Sequence, residues 1–161
     1  MYKIEDNFLS DFEHKQIENT LTNNDFPWYF NSYVAIKNDF DRGDFYFEHI
    51  FYRDYTINSN FFSLLVPIID RIKPKALIYV KANLYTNVGK SLSNDLHVDQ
   101  HYPHNGALYY VNTNNGFTGL EDGTKIESKA NRMLFFDSSK PHHSTHCTDQ
   151  KVRVTININY F

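Results

Sequence analysis

The sequence contains one cysteine, Cys147, so no intramolecular disulfide can form, as expected of a chain kept in a reducing cytosol. It has no apolar run approaching the roughly 18 residues needed to span a bilayer, so no membrane partner is expected. The opening residues Met1-Tyr2-Lys3-Ile4-Glu5-Asp6 lack the apolar stretch of a secretory signal, and the expected location is cytoplasmic. There is no basic excess either. With a net charge of −3 and its Lys and Arg scattered, the chain lacks the footprint that attracts a nucleic-acid backbone. Internal repeats, low-complexity tracts and linkers are also absent. The 161 residues therefore read as one domain, 1–161, since domains commonly run to roughly 100–200 residues.

What the chain does have is aromatic side chains: 14 Phe, 12 Tyr and one Trp within a hydrophobic content of 41 %. Such a load is incompatible with disorder and suits pleated, half-buried surfaces. A short edge strand is expected over 1–4. Ser10-Asp11-Phe12-Glu13 then forms a capping box, in which the Ser10 hydroxyl and Glu13 carboxylate satisfy free amides at a helix start. Phe12, Ile17 and Leu21 are the expected apolar positions of that helix, which should end near Asn23-Asn24. Strands are expected over 28–36 and 45–52, with Asp41-Arg42-Gly43-Asp44 as a turn. A second helix from about Ser59 carries Phe61, Leu64, Leu65, Ile68, Ile69 and Ile72 until Pro74 stops it, with Pro67 marking a kink or a misplaced boundary.

Beyond Pro74 the pattern becomes strands and turns: 76–85, 106–112, 125–128, 132–137 and 152–161, with turns at Asn114-Asn115-Gly116 and Glu121-Asp122-Gly123. Two helices and about eight strands indicate an α+β domain, mainly β. In the last strand Val154, Ile156, Ile158 and Tyr160 alternate with Arg153, Thr155, Asn157 and Asn159. In 76–85, Ile78, Val80, Ala82 and Leu84 alternate with Tyr79, Lys81, Asn83 and Tyr85. The polar faces either meet water, as in a simple sandwich, or line the interior of a barrel whose apolar outside packs on the helices.

Six of the eight histidines lie between His97 and His146. His97-Val98-Asp99 places two ligand-type side chains on one face of an extended segment. A later histidine would complete a set of two imidazoles and one carboxylate, the facial triad of non-haem Fe(II) oxygenases, which leaves coordination positions open. His14 and His49 read as ordinary hydrogen-bonded residues, and His101 and His104 as loop residues beside the motif.

These motifs resemble, in order, those of the 2-oxoglutarate/Fe(II)-dependent oxygenases, in particular the prolyl-4-hydroxylase-like branch and its small phage-type members. The resembling residues are Asn83-Leu84-Tyr85, His97-Val98-Asp99, Tyr109-Tyr110-Val111-Asn112 and Asn131-Arg132-Met133-Leu134-Phe135-Phe136, followed by Pro141-His142, Arg153-Val154-Thr155 and Tyr160-Phe161. The resemblance covers the chain from about Lys75 onward, with a weaker echo in Phe26-Pro27-Trp28-Tyr29. It implies a double-stranded β-helix (jelly-roll) barrel over 75–161, supported by helices and strands of 1–74 packed on one sheet. It implies Fe(II) held by His97, Asp99 and His142, the last preferred over His143 and His146 by its place after Pro141 and its distance from Arg153. Arg153 would bind the distal carboxylate of 2-oxoglutarate through two parallel hydrogen bonds, with Thr155 and Tyr110 assisting, and Tyr85 and Asn83 near the iron-bound end.

The expected activity is hydroxylation of a C–H bond, using O2 and 2-oxoglutarate and releasing succinate and CO2, because Asp99 stands where related halogenases carry a small residue. The expected partner is a peptide, through a peptidyl proline, or a small-molecule substrate. A non-catalytic binding module and a nucleobase-oxidising repair enzyme are the alternatives. Oligomeric state is not legible.

Overall fold

The computed structural model describes residues 1–32 and 45–161. The expected turn at 41–44, and the part of the expected 28–36 strand beyond residue 32, lie outside the described residues.

Strand β1 (Lys3–Asp6) leads into helix α1 (Asp11–Leu21), whose start is the predicted capping box: Ser10 Oγ accepts from Glu13 N, and Glu13 Oε2 accepts from Ser10 N at 2.9 Å. Ile17 and Leu21 face the core, but Phe12 does not; it is 72 % exposed, and His14 takes the inner position instead. Then come β2 (Tyr29–Asn31), β3 (Tyr46–Arg53) and the short β4 (Thr56–Ile57). Pro67 explains the next element. A 3₁₀ turn (Phe62–Leu65) ends and α2 (Val66–Ile72) begins with Pro67 in its first turn, where the missing N–H has no partner to lose. One continuous helix from Ser59 is thus replaced by two short ones, and Lys73, left-handed at φ 52°, closes the second ahead of Pro74.

The remaining strands are β5 (Leu77–Thr86), β6 (Asn105–Tyr110), β7 (Phe117–Leu120), β8 (Lys125–Glu127), β9 (Arg132–Asp137), β10 (His142–Ser144) and β11 (Val152–Tyr160). The major sheet has the antiparallel order β1-β9-β6-β11-β5-β3-β2, with β4 on β3; the minor sheet is β10-β7-β8. Single bridges, Ser93 to Thr145 and His97 to His142, lay the 93–97 segment beside β10. The two sheets form the double-stranded β-helix sandwich. Among the described residues no helix is long and apolar enough to cross a membrane.

One face of the major sheet meets the helices: Val80, Ala82, Ala107, Met133, Ile156 and Ile158 pack with Ile17, Leu21, Leu65 and Ile68. The alternating polar face of β11 is not solvated. Arg153, Thr155, Asn157 and Asn159 are as buried as Val154, Ile156 and Ile158 between them. Part of the space between the sheets is filled by Leu108, Tyr110, Ile126, Leu134 and Phe136. The rest is polar, and that is where the ligand-type residues gather.

Candidate metal centre

His97 and Asp99 sit in an extended segment held beside β10 by isolated bridges rather than in a regular strand, and the bridge nearest the motif joins His97 to His142. That bridge is made of two backbone hydrogen bonds, His97 N to His142 O and the reverse, both 2.9 Å, and it sets the two imidazoles side by side. One ligand-type atom from each of His97, Asp99 and His142 lies within 4.8 Å of the others. Asp99 Oδ1 is 3.8 Å from His97 Nε2 and 3.6 Å from His142 Nε2.

The supporting hydrogen bonds aim these atoms. His142 Nδ1–H donates to Lys140 O at 3.0 Å and His97 Nδ1–H to Asp95 O at 3.3 Å, so both rings turn their Nε2 lone pairs towards Asp99. Asp99 Oδ2 accepts from Ser138 Oγ at 2.9 Å and Asn157 Nδ2 at 3.0 Å, which leaves Oδ1 to the cluster. Burial and the neighbouring His142 lower the pKa of His97 despite Asp99. Burial also opposes the charged form of His142, but Asp99 outweighs it and the pKa is raised. Asp99, though buried, is held well below the usual carboxylate range by His142, Asn157 and His97. Two imidazoles and one carboxylate on one side of a point form the donor set that suits a divalent transition metal with open positions.

His143 points the other way. Its Nδ1 is 2.9 Å from Ser93 Oγ, its ring lies against Phe117, and a Cβ on Gly119 would run into its Nε2. His146 bonds Thr86 O through Nδ1 at 2.7 Å. His14 and His49 are buried and hydrogen-bonded, to Tyr109 Oη and to Pro27 O and Ser59 Oγ, each at 2.7 Å. His104 is tucked under the loop with Nδ1 on Tyr102 O and borders a separate depression with Tyr2 and Asp137, while His101 is exposed.

Arg153 is completely buried. Its Nε donates to Ser128 Oγ at 2.8 Å and its Nη2 to Thr118 Oγ1 at 3.1 Å, while Nη1 has no partner. Among the described residues no carboxylate pairs with it; its neighbours are the rings of Tyr85 and Tyr110, 5.4 and 5.8 Å from the guanidinium carbon. Gly116 is required here, because a Cβ would stand 2.6 Å from Arg153 Cδ. Burial pushes the guanidinium pKa down, yet arginine stays charged. The structure therefore contains an uncompensated buried cation, an expensive arrangement unless an anion joins it. Thr155 and Asn83 lie on the same interior wall, paired in register, and Asn83 Oδ1 is buried without a donor. Tyr110 Oη donates to Thr118 Oγ1 at 2.8 Å, and Tyr85 stacks on Tyr46.

Beside His97 and Asp99 opens a cavity of about 680 Å³, walled by Lys81, Asn157 and Asn159 and rimmed by Tyr55, Tyr102 and Phe161. Lys81 Nζ donates to Tyr46 Oη at 3.0 Å and Glu48 Oε2 at 3.3 Å. Burial opposes its charge, but Tyr79 and Glu48 outweigh that and raise its pKa. Sequence reasoning placed Lys81 and Asn157 on polar faces without a role and missed Ser138, Thr118, Ser128, Tyr46 and Glu48, which no motif marks.

No protein-family model matches the sequence, and neither does any curated protein. Solved structures do match over nearly the whole chain. A viral collagen prolyl hydroxylase from Paramecium bursaria Chlorella virus-1, in its 2-oxoglutarate complex, is 16 % identical with a TM-score of 0.64, covering 98 % of this chain and 93 % of its own. A prolyl hydroxylase from Trichoplax adhaerens, bound to a hypoxia inducible factor peptide fragment, is 14 % identical with a TM-score of 0.72, covering 99 % and 83 %. HygX from Streptomyces hygroscopicus, holding nickel, 2-oxoglutarate and hygromycin B, is 10 % identical with a TM-score of 0.63, covering 99 % and 82 %. The chain shares the fold of these proteins.

Proposed function

We propose that the protein is an Fe(II)- and 2-oxoglutarate-dependent dioxygenase that hydroxylates a C–H bond of a peptidyl proline or a small molecule. The observation that carries this reading is a three-atom metal-type cluster next to a fully buried arginine that, among the described residues, has no acidic partner and leaves Nη1 unpartnered. The donor set fits iron(II), and the orphaned guanidinium fits the far carboxylate of a dicarboxylic co-substrate. The proteins of this fold captured with 2-oxoglutarate support the same assignment.

Iron(II), when bound together with 2-oxoglutarate and O2, supplies the oxidation that yields succinate, CO2 and a hydroxylated product. His97 and His142 offer Nε2 because their Nδ1 protons are committed to backbone carbonyls. Asp99 offers Oδ1 because Ser138 and Asn157 hold Oδ2. Arg153 presents Nη1 to the co-substrate in a dry site, where a charge-assisted hydrogen bond is strong. Thr118 accepts from both Arg153 and Tyr110, so its own proton is left to donate to the same carboxylate. Thr155, Asn83 and Tyr85 line the wall between the arginine and the metal end.

The test is anaerobic addition of Fe(II) and 2-oxoglutarate, following the weak visible band of the chelate. Wild type should develop the band, while His142→Ala and Arg153→Met should not. Wild-type protein with bound iron and no band would exclude this chemistry.

A further inference from the structure

The cavity beside the metal cluster has an unfinished wall. Lys81 stands directly opposite Asn157 in the β5–β11 register, and Tyr79 opposite Asn159. Among the described residues, two lysine or arginine side chains line the cavity. Arg53 sits on the exposed hairpin 3.4 Å from Asp54, whereas only 19 % of the Lys81 side chain is exposed. An ammonium carries three N–H groups. Two of those of Lys81 go to Tyr46 and Glu48, and Glu48 uses the same Oε2 to accept from Tyr46 at 2.8 Å. Tyr46 and Glu48 thus hold the ammonium in place without satisfying it.

On the facing strand the complementary lack appears. Asn157 gives its Nδ2 to Asp99 Oδ2, and because a carboxylate only accepts, that bond fixes the amide orientation. Its Oδ1 is buried with no donor, and so is Oδ1 of Asn159. Buried acceptors left unmade are costly, so a ligand that supplies their donors is favoured. Opposed side chains on paired strands start roughly 4.5–5.5 Å apart at Cβ. The ammonium and the two amide oxygens thus come from facing positions of one strand pair, and a single ligand group that carries an acceptor and a nearby donor can meet both.

Taking the oxygenase reading as given, we infer that the prime substrate presents a free carboxylate to Lys81 and an adjacent N–H to Asn157 and Asn159, as an α-amino acid or the C-terminal residue of a peptide does. An internal peptide residue offers an uncharged carbonyl in place of the carboxylate, which accepts the third N–H but makes a weaker bond to an ammonium. The aromatic rim of Tyr55, Tyr102 and Phe161 then receives the apolar remainder of the ligand.

Calorimetry on the Ni(II)- and 2-oxoglutarate-loaded protein tests this without turnover. The probes are the twenty L-amino acids, their α-amides, and Ala-Ala-Ala-Xaa peptides with free or amidated ends. At least one free acid should bind, and its amide should bind roughly tenfold more weakly or worse, the worth of a hydrogen bond to a charged group. Whether the amino acids or the peptides show the effect identifies the source of the carboxylate. Lys81→Met should remove the preference for acid over amide while leaving 2-oxoglutarate affinity unchanged, and Lys81→Arg should retain the preference. Equal binding of acid and amide by the wild type, or no binding of any free acid, overturns the inference. So does a Lys81→Met protein that loses 2-oxoglutarate, since the ammonium would then belong to the co-substrate. Wild type that takes up nickel but no 2-oxoglutarate overturns the oxygenase reading, and this inference with it.

Discussion

Replacing Arg153 by methionine should leave the protein about as stable as before and nearly unable to bind 2-oxoglutarate. The guanidinium is fully buried with no acidic partner among the described residues, so its removal returns a desolvation penalty of several kcal/mol per ion. Against this stand two lost hydrogen bonds, to Ser128 and Thr118, at about 1.5–3 kcal/mol each for a charged donor. Thr118 keeps Tyr110 as a partner, which limits the damage to Ser128. Methionine refills much of the stem volume, so the opposing effects leave the ligand-free protein within about 2 kcal/mol of wild type. Binding has no such compensation. Truncating one partner of a buried charge pair costs about 2–5 kcal/mol, or roughly 30-fold to several thousandfold in affinity. Thermal unfolding with Ni(II), with and without 2-oxoglutarate, reads both quantities. At a hundred times its Kd the ligand stabilises wild type by about 2.7 kcal/mol, and it should stabilise the variant by less than about 1 kcal/mol. A variant that loses more than about 4 kcal/mol without ligand would make the arginine a structural member. One stabilised as much as wild type would refute the anchor.

Nickel affinity should fall on acidification from above the ordinary histidine value of about 6.5, because protons compete for Nε2 of His142, whose pKa Asp99 raises, before they reach His97, whose pKa burial lowers. Affinity unchanged down to pH 6 would contradict that order. His143→Ala should retain nickel binding in a titration that His142→Ala abolishes, since His142, and not His143, turns its Nε2 towards Asp99. Gly116→Ala forces a Cβ to within 2.6 Å of Arg153 Cδ and should weaken 2-oxoglutarate binding while costing about 1–3 kcal/mol in urea unfolding. Ser10→Ala removes one half of the capping box, far from the metal cluster. It should lower stability by about 1 kcal/mol, a Tm drop of about 2–4 °C, with 2-oxoglutarate affinity unaltered.

Elements governed by local chemistry were legible in the sequence. The Ser10–Glu13 box, the alternation along β11 and the stop at Pro74 all express rules that act within a few residues. Phe12 shows what hydrophobicity read without spacing misses: it lies off the stripe of Ile17 and Leu21, whereas His14, three residues before Ile17 and seven before Leu21, is on it and bonds Tyr109. Strands β7 and β10 escaped notice for a similar reason. Phe-Thr-Gly-Leu and His-His-Ser have little strand character of their own and become strands by pairing with each other.

The candidate site divides along the same line. His97, Asp99, His142 and Arg153 could be picked out because each belongs to a short motif, and one bridge between distant segments brings the first and third together. Lys81 could not, although its alternation with Val80 and Ala82 was plain. Its side chain has chemical meaning only once Tyr46 and Glu48 arrive from a strand 35 and 33 residues upstream and leave one N–H unspent. His97, Asp99, His142 and Arg153 stand in short motifs of the sequence, whereas Lys81 is defined only by the contacts around it. If prime-substrate choice resides in Lys81, Asn157 and Asn159, it follows from the packing of β3, β5 and β11 and cannot be read from His-x-Asp and Arg-x-Thr, to which the proposed function gives only the metal and the co-substrate.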